Sequence, residues 1–269
     1  MASNAQPVFP PSCDDGPAWP ILICLLGEFR IVKGGRPVAL RGAKSQAFLS
    51  HLGRRPDYGV SRDAVLETLW PESDVTLACQ SLNSLVYSLH KLLGDAIAGA
   101  PPVLQDDGRY YLNVDAGVAV DITRFDALVR DGDQHSRAGR TVAAVGAYKE
   151  AAGMYRGELC GGSDIYATLE RERLRTLHLK VLAHLADHYY AYGDHAACLE
   201  YALRILGSDP CREDAHRVVM RCHMRLGERS QALRQFRICE AALRREFDAL
   251  PEAATVALFD RVRRAPDSI

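Results

Sequence analysis

The 269-residue chain lacks the features of a secreted or membrane-spanning protein. Its first 20 residues show no basic start followed by an apolar segment, and no apolar run reaches the roughly 18 residues of a membrane span. Its eight cysteines form no Cys-x-x-Cys pair. We therefore expect a cytoplasmic protein with reduced thiols and no membrane contact, which begins with a polar, mobile tail over residues 1–20.

The sequence also lacks the short motifs of common enzyme classes. It has no glycine-rich loop ending in Gly-Lys-Ser/Thr, no Gly-x-Gly-x-x-Gly turn, no Gly-x-Ser-x-Gly elbow and no His-Glu-x-x-His pair. His184 and His188 have the four-residue spacing of zinc ligands, but no third ligand accompanies them. We expect no enzymatic activity, no cofactor and no metal site.

The chain carries little net charge, because 33 Lys and Arg face 34 Asp and Glu. The balance is also even locally, since residues 21–120 hold ten cations and ten anions. Nucleic-acid-binding proteins usually show a basic surface, because much of their affinity comes from phosphate contacts. A nucleic-acid surface on this chain must therefore arise from the spatial arrangement of its charges.

The first half of the chain predicts a winged helix. Two β-forming segments at residues 21–32 and 37–40 flank the hairpin signal Gly34-Gly35. Three helical patterns follow, and then a second hairpin over residues 103–114, which turns at Asp107-Gly108. The helical patterns cover residues 43–53, 61–69 and 74–93, with Ser61 and either Asp74 or Thr76 as N-caps and Gly94 as a stop signal.

The second half predicts helices only, joined by short connections. Gly193 and Gly227 lie 34 residues apart in similar sequence surroundings, which is the tetratricopeptide period. The predicted fold class is mainly α with small β: a winged helix-turn-helix domain at 21–116, then a tetratricopeptide-like helical domain at 117–269. The expected helices cover residues 121–130, 139–155, 166–192, 194–206, 212–226, 230–247 and 252–264.

Five segments in this order resemble the Streptomyces antibiotic regulatory protein family. They read LLGEFRI (25–31), SRDAVLETLWPE (61–72), LNSLVYSLHKLLG (82–94), YYLNVD (110–115) and VDITRFDALV (120–129). The resemblance implies an OmpR-type winged helix fused to a bacterial transcriptional activator domain. It also implies binding to repeats in double-stranded promoter DNA and recruitment of RNA polymerase.

The resemblance assigns the major groove to residues 76–91 and the wing to residues 105–111. Amide side chains there can read adenine edges, and hydroxyl groups can bond phosphate oxygens. Cations on the first two helices can add phosphate contacts. The predicted DNA-binding residues are Gln80, Ser81, Asn83, Ser84, Tyr87, Ser88, Lys91, Arg109, Arg62 and Lys44.

The third helix departs from the family pattern in its charge. Members usually carry arginines where this chain has Ser88 and His90, and a further one near Cys79. Lys91 is the one fixed cation on the predicted reading face. The wing turn carries Asp106 and Asp107, with Arg109 as its sole cation. Each lost phosphate contact weakens DNA binding and reduces its salt dependence.

Two functional classes remain open. The first is a DNA-binding transcription regulator, an activator, whose helical domain mediates homodimer formation, polymerase contact or an effector response. The second is a protein-interaction or signalling adaptor whose winged helix no longer binds DNA. A small-molecule effector site in the helical domain is a further hypothesis, because concave repeat surfaces often form ligand sites.

Overall fold

The computed structural model describes residues 19–56 and 58–265. Nearly all of the predicted tail, with Cys13, lies outside them. The described chain divides into two compact units, one made of residues 19–130 and 153–175 and the other of residues 131–152 and 176–265. The domain boundary between residues 116 and 117 stays a prediction.

Within the described residues, the strands are β1 (Ile21–Cys24), β2 (Arg30–Lys33), β3 (Arg36–Val38), β4 (Val60–Ser61), β5 (Val103–Asp106), β6 (Arg109–Leu112) and β7 (Val118–Val120). The helices are α1 (Ala43–Gly53), α2 (Arg62–Leu69), α3 (Val75–Leu93), α4 (Asp121–Arg137), α5 (Thr141–Met154), α6 (Ile165–Tyr192), α7 (His195–Ser208), α8 (Glu213–Arg225), α9 (Arg229–Phe247) and α10 (Ala253–Arg264).

The first unit contains the predicted winged helix, which is therefore confirmed. Helices α1, α2 and α3 precede the β5–β6 hairpin, and β4 joins β6 to complete a three-stranded sheet. The Phe48 ring of α1 meets the Tyr110 ring of β6 edge-on at 5.6 Å, and both side chains are buried. Burial of each such large apolar side chain contributes about 1.5–3 kcal/mol to folding.

A second sheet has four strands in the order β3-β2-β1-β7. Strands β1, β2 and β3 come before the winged helix in the chain, and β7 comes after it. The sequence did not predict strand β7, which has only three residues. It pairs in parallel with β1, with Ile21 opposite Val118. The segment is therefore part of the sheet and not a free connection.

A buried carboxylate fastens the end of β1 to the start of α4. The backbone N–H groups of Leu25 and Leu26 both donate to the Asp121 carboxylate at 2.9 Å. Asp121 is only 3% exposed, and this burial raises its carboxyl pKa to about 6. The side chain thus satisfies two backbone donors at the cost of a desolvated charge.

The second unit consists of helices and confirms the tetratricopeptide-like repeat. Gly193 follows α6 and Gly227 follows α8, with positive φ angles of 85° and 77°, a conformation that glycine adopts without steric cost. After the first turn, the Asp194 side chain caps α7 by accepting from Ala197 N at 3.0 Å. Equivalent turns at a 34-residue spacing produce the stacked helix pairs.

Among the residues that the structure describes, no helix is long and apolar enough to cross a bilayer, and no disulfide joins the cysteines. No group of three His, Cys, Asp or Glu side chains there could hold a metal ion. His184 stacks on Tyr148 with ring centroids 5.0 Å apart, and His188 stacks on Tyr192.

Candidate nucleic-acid interface

Helix α3 is fixed at both ends. The Asp74 carboxylate accepts from Thr76 N at 2.8 Å and caps the first turn. At the other end, Lys33 Nζ donates to Leu92 O at 2.9 Å and pairs with Asp95 at 2.6 Å. The lysine satisfies a carbonyl that has no partner inside the helix and places positive charge at the negative end of its dipole.

The sequence of α3 separates a buried side from an exposed side. Apolar residues at helical spacing face the core: Ala78, Leu82, Leu85, Leu89 and Leu93. All seven residues predicted to read DNA on this helix are exposed: Gln80, Ser81, Asn83, Ser84, Tyr87, Ser88 and Lys91. At 100° per residue, they occupy one continuous face.

Within that face, Gln80, Ser84, Tyr87 and Lys91 form its central line by their helical spacing. Tyr87 is 71% exposed. The Ser88 hydroxyl donates to Ser84 O at 2.8 Å, so its proton is already committed to the helix backbone. The face can therefore offer amide, hydroxyl and phenol groups, together with one ammonium group, to a ligand.

The β5–β6 hairpin forms a wing with an acidic tip. Asp107 and Gly108 have φ angles of 44° and 69°, which produce the tight turn that the Asp-Gly pair predicts. Gln105, Asp106 and Asp107 are all exposed. The tip would therefore repel a phosphate backbone, and neutral or basic groups must compensate.

Arg109, the predicted wing cation, is held by the neighbouring loop. Its Nε donates to Tyr58 O and its Nη2 to Gly59 O, both at 3.1 Å. These bonds occupy two of the five guanidinium N–H groups and fix the side chain beside β4. The sequence did not indicate this contact, because the partners lie about 50 positions earlier in the chain.

The predicted cations of the first two helices occupy different environments. Lys44 is exposed and lies over the Trp70 ring, with Nζ 4.6 Å from its centroid. Arg62 is half-buried, and its backbone N–H donates to Gly108 O in the turn of the wing. Its buried Nε has no hydrogen-bond partner among the described residues.

Two further arginines at the end of α1 are engaged within the first unit. Arg54 pairs with Asp164 at 3.1 Å, and its side chain is 9% exposed. Arg55 lies over the Tyr166 ring, 4.4 Å from its centroid. These contacts reduce the positive charge that α1 can present to an anion. The interface is thus rich in hydrogen-bonding groups and poor in free cations.

Comparisons with known proteins place this geometry in context. A family model of the bacterial transcriptional activator domain matches residues 120–263. The transcriptional regulatory protein EmbR of Mycobacterium tuberculosis, like that of Mycobacterium bovis, is 27% identical over 249 residues, which cover 89% of this chain and 62% of EmbR. The chain therefore spans less than two thirds of these relatives.

A solved structure supports the fold. Mycobacterium tuberculosis EmbR, determined in complex with a low-affinity phosphopeptide, superposes with a TM-score of 0.69 at 24% identity. The match covers 93% of this chain and 68% of that one. The two chains therefore share the order of winged helix and helical repeat.

Proposed function

This chain belongs to the bacterial transcriptional activator domain family. We propose that it regulates transcription by binding double-stranded promoter DNA. The family match covers residues 120–263, more than half of the chain. The resemblance to the Streptomyces antibiotic regulatory proteins is confirmed for this domain and for the fold. Binding, activation and polymerase contact belong to the proposal.

One observation supports DNA binding most strongly: the exposed face of α3 is polar and continuous within a winged helix. Gln80 and Asn83 would pair with adenine N6 and N7 in the major groove. Tyr87 and the serines would bond phosphate oxygens, and Lys91 would neutralise one phosphate. Lys44 and Arg62 would add contacts from α1 and α2.

The cation-poor interface also sets the expected salt dependence. Each phosphate neutralised by a lysine or arginine adds about 0.9 to the slope of log K against log salt. With Lys91 as the one fixed cation on α3, this helix contributes a slope close to one. Base contacts therefore supply a larger share of the affinity than they do in a strongly basic regulator.

Fluorescence anisotropy with labelled duplexes from the upstream region of its own gene tests this function. The double variant Gln80→Ala/Asn83→Ala should lose its preference for the operator over a random duplex. Gln134→Ala changes an exposed glutamine of α4 and serves as the matched control. If the wild-type chain binds no duplex at low salt, DNA binding is wrong.

The helical unit would contact RNA polymerase and support a homodimer, so that the protein acts as an activator in the cytoplasm. Transcription in vitro from the bound promoter tests activation, and light scattering tests the dimer. No transcript above the basal level would contradict the activator role.

The low charge of α3 also favours a second candidate function, a protein-interaction adaptor that does not bind DNA. On this view, the helical unit captures a protein partner, and changes on the exposed face of α3 leave that capture unaffected. Failure to retain any protein other than RNA polymerase would contradict the adaptor role.

A further inference from the structure

Helices α8 and α10 of the second unit run in the same direction. Near their starts, Arg217 of α8 donates to Glu252 Oε2 at 3.1 Å and to Thr255 Oγ1 at 2.9 Å. Further along, Met220 shares a buried cluster with Val262 of α10. The C-terminal ends of the two helices therefore lie side by side.

The first residue of α9 joins these two ends. Arg229 Nε donates to Val262 O at 3.0 Å, and its Nη2 donates to Arg263 O at 2.7 Å. The α8 C-terminus, the α9 N-terminus and the α10 C-terminus therefore meet at one edge of the unit. Five exposed arginines lie there, and together we call them the arginine edge: Arg225, Arg229, Arg261, Arg263 and Arg264.

Few carboxylates oppose the arginine edge. Asp260 is shared by Arg263 at 3.2 Å and Arg264 at 3.9 Å, with the two arginine side chains 51% and 70% exposed. The Glu228 carboxylate lies 2.7 Å from Nδ1 of His223 and is engaged by that ring. Within the described chain, Arg225 and Arg261 have no side-chain hydrogen bond or ion pair.

The other ends of the same helices carry the opposite balance of charge. Four arginines lie at these ends: Arg212, Arg217, Arg244 and Arg245. Six carboxylates lie there with them: Asp209, Glu213, Asp214, Glu246, Asp248 and Glu252. The helix dipole favours this distribution, because α8 and α10 both end at the arginine edge and both begin at the opposite ends, and Arg229 adds a cation where α9 begins.

We propose that the arginine edge binds the phosphate backbone of duplex DNA as a second, sequence-independent contact, an inference that rests on the proposed DNA-binding function. Guanidinium groups match phosphate oxygens in a bidentate geometry and keep their charge at all physiological pH values. The weakly charged α3 needs such a source of electrostatic affinity, because phosphate contacts dominate DNA binding.

The apolar content of the edge favours DNA over an acidic protein partner. Stable protein interfaces are usually anchored by buried aromatic or large apolar side chains. At the three helix ends, the described residues expose one large aliphatic side chain, Leu226, at 43%. The edge thus offers charge without an apolar anchor.

The experiment replaces three arginines whose side chains donate no hydrogen bond to a backbone carbonyl. The triple variant Arg225→Gln/Arg261→Gln/Arg264→Gln should lower the salt slope for a random duplex by about 2.7, which is 0.9 for each contact. Its ratio of operator to random affinity should stay unchanged. Arg234→Gln/Arg237→Gln/Arg245→Gln removes the same charge from exposed arginines of α9 elsewhere and should leave the slope unchanged.

Thermal unfolding of each variant shows whether it folds, and the single changes Arg225→Gln and Arg264→Gln replace the triple variant if it does not. An unchanged slope in the edge variant overturns the inference, and so does an equal fall in the control variant. If the edge variants change random-duplex binding while the α3 variants change nothing, the edge is supported and operator reading by α3 is wrong. If only the α3 variants change DNA binding, operator reading by α3 is supported and the inference about the arginine edge is wrong.

Discussion

Replacement of Asp121 by asparagine tests the electrostatics of the buried link between β1 and α4. The folded-state carboxyl pKa is raised to about 6 from an ordinary value of 3.8, mainly because burial disfavours the charged form. A raised pKa means that the folded chain holds the proton more tightly than the unfolded chain. The stabilisation is therefore complete below pH 3.8 and is lost as the pH rises through 6.

The magnitude follows from the size of the shift. About two pKa units at 1.36 kcal/mol each correspond to about 3 kcal/mol of stability lost between pH 4 and pH 7. The asparagine side chain of the variant would stay neutral throughout this range. The free energy of unfolding of the wild type should thus fall by about 3 kcal/mol relative to Asp121→Asn over that interval.

Urea unfolding at several pH values measures this difference. Both tryptophans of the chain, Trp19 and Trp70, lie in the same compact unit as Asp121, so their fluorescence reports on that unit. Asp115→Asn changes an exposed aspartate nearby and serves as the control. If the wild type gains stability relative to the variant as the pH rises, the bonds from Leu25 and Leu26 outweigh burial and our reasoning is refuted.

Three further predictions concern helix ends and charge. Lys33→Met should destabilise the first unit by about 1 kcal/mol in urea unfolding, because the bond to Leu92 O is lost; an unchanged midpoint would contradict this. Gly227→Ala should destabilise the second unit by about 1 kcal/mol because of its φ of 77°, whereas Gly207→Ala, inside α7 with open space around it, should stabilise it slightly. Equal effects on the thermal midpoint would argue against strain at the turn. Lys91→Gln should reduce the salt slope of DNA binding by about 0.9, and an unchanged slope would show that Lys91 contacts no phosphate.

The sequence was sufficient to predict α3 and its exposed face. Asp74 as N-cap, the regular apolar spacing and the stop near Gly94 are local signals, and each depends on residues close in the chain. For the same reason, the wing turn at Asp107-Gly108 could be identified before the fold was known. Local chemistry decides such elements.

Contacts between distant segments could not be predicted in the same way. The pairing of Arg54 with Asp164 joins residues 110 positions apart, and strand β7 has only three residues. Charged residues at 54 and 109 look like free cations in the sequence, since nothing nearby shows their partners. The arginine edge likewise depends on which helix ends meet in space.

The parallel pairing of β1 with β7 has a consequence for the order in which the chain folds. Strand β1 can pair with β2 as soon as that hairpin is synthesised, but its other side stays unpaired until Val118, 85 residues after Lys33, and the rest of β7 emerge. A fragment that ends at residue 116 would leave that edge, together with the N–H groups of Leu25 and Leu26, without partners. Such open strands template aggregation. A stably folded N-terminal fragment must therefore extend past Asp121.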